Sequence, residues 1–278
     1  MTSKINKNEH KVICEKYRSG MTCTEIAKEY SVSYGPILKI LHANNEPVSY
    51  RKSNKEPQNR FNHEFFFKKN EKLAYFMGFA LADGCLKNNP KRYSYLLKFS
   101  IAEKDMNILY MFCDWTGFDP NKITKSNSKI RKSINKTYIC KPIYNLIYTE
   151  KKVFTQDFSE WGLVPNKTYV GAVPTITDKN IVIPFLLGLI DGDGCLTFTA
   201  KRKQFGLVSN KNIIIWCEQT LKKLGYNGTY QLIMPENKCY GRFLINRKDD
   251  IIKFGNILNI KNYPFIMERK WADLKSNL

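Results

Sequence analysis

Two carboxylates, Asp83 and Asp193, stand in nearly the same sentence of sequence. One closes Phe76-Met77-Gly78-Phe79-Ala80-Leu81-Ala82-Asp83-Gly84-Cys85-Leu86 and the other Leu186-Leu187-Gly188-Leu189-Ile190-Asp191-Gly192-Asp193-Gly194-Cys195-Leu196. Each run is apolar on every side, which predicts a helix buried in an interior. Each ends in an acid, where the helix dipole favours a cation. Two such acids side by side would make a hard-oxygen site for Mg²⁺, a cation that keeps several waters when bound and can promote hydrolysis.

Bringing the acids together requires the two helices to meet. Gly78 and Ala82 in the first copy, and Gly188 and Gly192 in the second, are small residues four apart. They share one helix face and let two backbones approach closely. Parallel packing on that face would set Asp83 beside Asp193. Gly84 and Gly194 fit as the residues that reverse each helix into a following strand. The repeat extends further. Arg92 to Ile101 alternates, with Tyr93, Tyr95, Leu97, Phe99 and Ile101 on one face and Arg92, Ser94, Lys98 and Ser100 mostly on the other, as a half-buried strand does. A helix carrying Ile108, Leu109 and Phe112 ends near Gly117, and Asn212 to Leu224 repeats it before Gly225. Further strands are expected at 129–135, 143–148, 196–201, 204–209, 230–234 and 240–245.

A different unit precedes the repeats. Val12, Ile13 and Tyr17 are spaced as an inward helix face that stops at Gly20, and Thr22 or Cys23 opens a second helix with Ile26 and Ala27 inward. After the turn Ser31-Val32-Ser33, Pro36 falls in the first turn of a third helix running through Ile37, Leu38, Ile40 and Leu41. Residues 51–70, rich in Lys, Arg and Asn, read as a basic tether.

Composition narrows the partner. The 278 residues carry 45 Lys+Arg against 25 Asp+Glu, a formal charge of +20 that suits a polyanion, with nucleic acid foremost. No apolar run approaches the ~18 residues of a membrane span. The start resembles no secretory or transit signal, so a cytoplasmic, DNA-associated location is expected and no membrane partner. The eight cysteines include no C-x-x-C pair and read as reduced thiols, with Cys85 and Cys195 as small buried side chains. Three scattered histidines offer no metal cluster.

The second motif differs from the string LAGLIDADG only at Leu187 and Gly192. From residue 61 to the C-terminus, including the lead-in Phe61-Asn62-His63-Glu64-Phe65-Phe66, the chain resembles a single-chain LAGLIDADG homing endonuclease. Thr24-Glu25-Ile26-Ala27-Lys28-Glu29-Tyr30-Ser31-Val32-Ser33 is similar to the helix-turn-helix of resolvases. The first motif departs by placing Leu81 where the second has Asp191, while both keep the acid at the eighth position.

The resemblance implies an α+β fold. A pseudo-twofold pair of αββαββα repeats would form a saddle of two antiparallel sheets, behind a small all-α N-terminal domain. The expected division is 1–50 helix-turn-helix, 51–70 linker, 71–165 first repeat, 166–182 inter-repeat linker and 183–278 second repeat. It implies a site-specific, Mg²⁺-dependent double-strand DNA endonuclease, with Mn²⁺ able to substitute. Asp83 and Asp193 would hold the metal beside Gly84 and Gly194, with Lys152, Lys248, Glu103 and Ser209 organising water around it. DNA contacts would come from Tyr34, Gly35 and Lys39 in the N-terminal module. On the sheets they would come from Arg92, Ser94, Lys98, Arg131, Lys132, Thr199, Lys201, Gln231 and Arg242. The expected partner is a long pseudo-palindromic duplex bound by a monomer. A non-cleaving transcription regulator and an RNA-splicing maturase are the alternative uses of such a chain.

Overall fold

A computed structural model describes residues 5–19, 21–46, 61–89, 94–127, 129–133, 136–154 and 156–278. The chain forms two compact units, residues 1–58 and 59–278. Among the described residues no helix is long and apolar enough to cross a membrane.

The first unit packs helices α1 (Glu9–Arg18), α2 (Cys23–Glu29) and α3 (Tyr34–Ala43) around Ile13, Cys14, Ile26, Ala27, Ile37 and Leu41. Val12, expected inward, is exposed, and Cys14 takes its place in the core. Helix α2 begins with a reciprocal cap. The Glu25 backbone N–H donates to Thr22 Oγ1 at 3.2 Å, and the Thr22 N–H donates to the Glu25 carboxylate at 2.7 Å, which together fix the helix start by about 1 kcal/mol. Ser31 then turns the chain with a left-handed φ of 52°. Arg18 donates to the buried carboxylate of Glu46 and ties the end of the module to its first helix.

The second unit contains two copies of one arrangement. The first runs α4 (Glu71–Asp83), β1 (Gly84–Asn89), β2 (Ser94–Ala102), α5 (Asn107–Thr116), β3 (Thr124–Ser126), a hairpin of β4 (Lys129–Ser133) and β5 (Lys136–Cys140), β6 (Ile143–Thr149) and α6 (Lys151–Phe154). A short α7 (Lys167–Val170) follows. The second copy runs α8 (Lys179–Asp193), β7 (Gly194–Phe198), β8 (Lys203–Asn210), α9 (Lys211–Lys223), β9 (Gln231–Ile233), β10 (Tyr240–Ile245) and α10 (Lys248–Ile257), with α11 (Glu268–Lys275) at the end. Both sheets are antiparallel and four-stranded, ordered β1-β2-β6-β3 and β7-β8-β10-β9. Apart from the extra hairpin β4–β5, this is the expected pair of αββαββα repeats.

The alternating residues of β2 divide as their pattern requires, with Leu97, Phe99 and Ile101 buried. Strands β1, β3 and β5 were not expected; β1 is held by its register with β2, Gly84 opposite Phe99 and Asn88 opposite Tyr95. The packed region also starts earlier than a linker to residue 70 would allow. Phe61, Phe65 and Phe66 are buried in the core, edge-on to one another and to Phe76. Cys85 and Cys195, expected buried, are exposed, because register places them on the sheet faces turned away from the helices.

Helices α4 and α8 pack in parallel through their small residues. A Cβ built on Gly78 would lie 2.0 Å from the Phe185 carbonyl oxygen, and one on Gly188 would lie 2.0 Å from the Tyr75 carbonyl oxygen. Tyr75 and Phe185 occupy matched positions, so the contact is self-complementary, as a twofold interface must be. Both obstacles are backbone. Gly188→Ala should therefore cost about 3 kcal/mol through overpacking, although alanine is the better helix former by ~1 kcal/mol. A thermal midpoint lowered by roughly 6 °C or more is expected, and a melt equal to wild type would contradict this packing.

Candidate active site

The two helix ends bring Asp83 and Asp193 into one site. Gly84 and Gly194 follow them in extended conformation, with φ of −80° and −84°, so each chain passes straight from helix to strand without the left-handed reversal expected. Glycine is needed for space instead. A Cβ at either position would lie 2.5 Å from a carbonyl oxygen of the preceding turn, Ala80 or Ile190.

The last carbonyls of each helix are held by a lysine. Lys167 Nζ donates to the carbonyls of Ala80 at 2.8 Å, Ala82 at 2.6 Å and Leu81. Lys270 Nζ reaches the matched carbonyls of Ile190, Asp191 and Gly192, and that of Gly194 at 2.8 Å. A cation at each C-terminus meets the dipole, so part of the electrostatic conflict inferred from sequence is resolved by the protein itself. The carboxylates remain. Burial and the neighbouring Asp83 charge push Asp193 up to about 6, against the opposing pull of Lys167, Ser209 and Lys270. Asp83 is also raised, by desolvation first and by Asp105, while Lys167 and Lys270 oppose the shift. Its side chain is open to solvent, so crowding on the protein side, not enclosure, is the cause. Desolvation lowers Lys167 to about 8 and lowers Lys270 as well.

A cleft of about 300 Å³ opens beside Asp193, lined by Ala82, Lys167, Ser209, Asn210 and Tyr240 among others. Ser209, expected at the site, hydrogen-bonds to Asp193. The other expected water-organising groups are elsewhere. Glu103 accepts from the Tyr144 hydroxyl at 3.0 Å and pairs with Lys125 at 3.9 Å. Lys248 is an exposed residue at the start of α10. Lys152 lies on α6, and its side chain is outside the described residues. The ammonium groups whose charge bears on both carboxylates are those of Lys167 and Lys270. Each lies roughly eighty residues beyond the aspartate of its own repeat, a matched spacing that is the one sequence signal for the pair.

Asp191 has a separate job. Its side chain is 1% exposed and accepts from the Tyr75 hydroxyl at 2.5 Å, the Met267 N–H at 2.8 Å and the Trp271 indole at 2.7 Å. It thereby anchors the segment that carries Lys270. The matched residues Leu81 and Phe185 have no polar atoms to form such a cluster, which accounts for the first motif's departure.

The expected DNA contacts divide by position. Tyr34, Gly35 and Lys39 are exposed along α3. Thr199 and Lys201 are exposed in the β7–β8 turn, Gln231 and Arg242 are exposed on β9 and β10, and Lys98 is half-buried on β2. Arg92 lies outside the described residues, as do the side chains of Ser94 on β2 and of Arg131 and Lys132 on β4.

The Asp193 shift has a consequence for stability. Its folded pKa of about 6 lies above the ordinary 3.8, so its contribution to stability is fully present below about 3.8 and is lost as pH rises through about 6. At pH 7.5 the ionised group destabilises the fold. Asp193→Asn should raise stability there by about 1–2 kcal/mol, roughly half the full conversion of the shift because the group is partly open to water. The gain should vanish near pH 4. Denaturant titrations at the two pH values check this, and equal or lower stability of the variant at pH 7.5 would contradict it.

No family model matches the chain, and no curated protein matches it. Solved structures resemble it at low identity. The homing endonuclease I-WcaI bound to its DNA recognition sequence is 18% identical over 82% of this chain and 93% of that one, with a TM-score of 0.49. The I-SmaMI LAGLIDADG homing endonuclease bound to cleaved DNA is 15% identical over 74% and 87%, with a TM-score of 0.40. The N-terminal LAGLIDADG domain of DUF199/WhiA is 15% identical over 75% and 89%, with a TM-score of 0.41. These likenesses concern fold alone, and no residue role is taken from them.

Proposed function

We propose that the chain is a divalent-metal-dependent endonuclease that cuts both strands of a DNA duplex. The observation that carries this reading is the convergence of Asp83 and Asp193 at the ends of two parallel, self-complementary helices, where Asp83 raises the pKa of Asp193. Folding alone gains nothing from two carboxylates held this way. Among the described residues no three acidic, histidine or cysteine side chains cluster as a complete metal cage. Two carboxylates and an open cleft nevertheless fit Mg²⁺, which is commonly held by one or two carboxylates with water and substrate phosphate completing the shell. When bound, such an ion polarises the phosphoryl oxygen and lowers the pKa of coordinated water.

The protein's own groups have supporting roles. Ser209 fixes the orientation of the Asp193 carboxylate. Lys167 and Lys270 keep the two helix ends in place and set positive charge where a phosphate would lie. One aspartate per repeat serves each strand, and the sheets supply surfaces for the major groove. The N-terminal module adds a separate contact through the exposed start of α3, the part of such a helix that faces bases.

Incubating the full chain with Mg²⁺ and a plasmid library carrying random inserts should linearise a subset with one shared sequence, while binding to that sequence should persist in EDTA. Binding without cutting at any divalent metal would instead favour a non-cleaving DNA-binding protein. Binding to structured RNA in preference to duplex DNA would favour a maturase.

A further inference from the structure

Strand β10 lies between β8 and β9, and Arg242 stands directly opposite Val208 on one side and Ile233 on the other. Opposed residues of an antiparallel ladder project to the same face. The next positions, Leu207 and Phe243, are buried, so the row containing Arg242 faces away from the core. Val208 is 42% exposed and Ile233 40% exposed, and Arg242 is exposed between them. Among the described residues Arg242 has no hydrogen-bond or ion-pair partner.

Strand propensity would account for either apolar residue alone. The matched row of the first sheet shows that the arrangement is not a requirement of the fold. Gly84 opposite Phe99 and Gly194 opposite Leu207 make Ser100 the counterpart of Val208. Continuing across, Asn145 is the counterpart of Arg242 and Thr124 that of Ile233. That row is closed on itself. Ser100 Oγ donates to Asn145 Oδ1 at 2.8 Å, and Asn145 Nδ2 donates to the Thr124 carbonyl at 3.3 Å, with Asn145 only 8% exposed. The same place in the two repeats thus holds a tied-off polar row in one and an open guanidinium between two hydrocarbon side chains in the other.

In the major groove a guanidinium pairs with both guanine O6 and N7, and apolar side chains contact the thymine methyl group. The geometry points to Arg242 as a specificity-determining residue that reads one guanine in the half-site facing the second sheet. Val208 and Ile233 contact thymine methyls on adjoining base pairs, and the first sheet has no matching reader. This rests on the DNA-cleaving reading above and sharpens it, because the target then departs from a pseudo-palindrome at this pair of positions. Val208 immediately precedes Ser209, so the guanine lies near the phosphate served by Asp193.

The test is selection of bound sites from a random duplex library by the full chain in EDTA, comparing wild type, Arg242→Ala and Arg242→Lys. Wild type should enrich a guanine at one position of one half-site only. Both variants should lose that preference, with affinity for the guanine-containing duplex falling about 10-fold to 100-fold for Arg242→Ala. Arg242→Lys keeps the charge, so its affinity for duplexes altered at that position should match wild type. Uracil in place of the adjoining thymines, which removes only the methyl groups, should weaken wild type several-fold and leave a Val208→Ala/Ile233→Ala variant unaffected. If the variants select the same guanine as wild type, or if uracil has no effect, the assignment is overturned. If wild type enriches no sequence at all, the DNA reading of the whole site fails, and the inference falls with it.

Discussion

Asp83→Asn or Asp193→Asn should abolish double-strand cleavage, lowering the rate by roughly 10³-fold or more, and leave affinity for the DNA target within a few fold. The size follows from what each carboxylate supplies. Neutralising one removes a full negative charge from a metal site that has two, and electrostatic groups at a reacting centre contribute about 10²–10³-fold each even when they carry only a dipole. Binding is spared because the sheet faces and α3 lie apart from the helix ends. Asparagine has the shape of aspartate, so the substitution leaves no cavity. The Asp193 variant should also be the more stable protein at neutral pH, and its loss of cutting could not then be attributed to unfolding. A second readout needs no DNA. Mg²⁺ that binds the folded state raises the melting temperature by mass action, so millimolar Mg²⁺ should stabilise wild type and neither variant. Full cleavage by either variant at ordinary Mg²⁺ would remove these residues from the site, and equal Mg²⁺ stabilisation of all three proteins would place the metal elsewhere.

The features legible in the sequence are those encoded within a few turns of chain. Gly78, Ala82, Gly188 and Gly192 announce a close helix contact because their spacing repeats, and Leu97, Phe99 and Ile101 announce a strand because alternation is a local property. Ser209 was reachable because it sits at the end of the strand after the second motif. Lys167 and Lys270 were not. Each caps a helix more than seventy residues away in the chain, and neither stands out among 45 basic residues. Lys152 and Lys248 were as plausible from sequence because a lysine's local setting does not reveal which distant carbonyls it reaches. Asp191 was misleading for a related reason. It belongs to the motif, yet its partners Tyr75, Met267 and Trp271 come from the other repeat and from the chain's last helical segment. The glycines after each aspartate were expected for a left-handed turn, the commonest reason for glycine at a helix end. The reason found, a carbonyl 2.5 Å from any Cβ, depends on the helix continuing directly into a strand.

Deleting residues 1–58 should leave an enzyme that still cuts but binds its target about 10²-fold more weakly. The deletion point follows from packing, since the core of the second unit begins at Phe61 and the first unit has its own core around Ile13, Ile26 and Leu41. Each unit therefore keeps its buried surface when the other is removed, and the melting temperature of the truncated chain should stay near that of its unit in the full protein. The affinity loss arises from linkage. A tethered second module binds at an effective concentration set by its linker, which adds ~10²-fold or more to affinity when both modules can engage. The chain has one such module and two sheet-bearing repeats, so the protected DNA should shorten at one end only. Removing the module together with Arg51, Lys52 and Lys55 also removes phosphate contacts, and each one lost should flatten the dependence of log affinity on log salt by ~0.9. Footprinting across a salt series with wild type and the truncated chain reads all three quantities together. If the footprint shortens while the salt slope is unchanged, the module touches bases without phosphates, against the expected role of its basic tether. If footprint, slope and affinity all match wild type, residues 1–58 do not contact the target and the three helices serve some other partner.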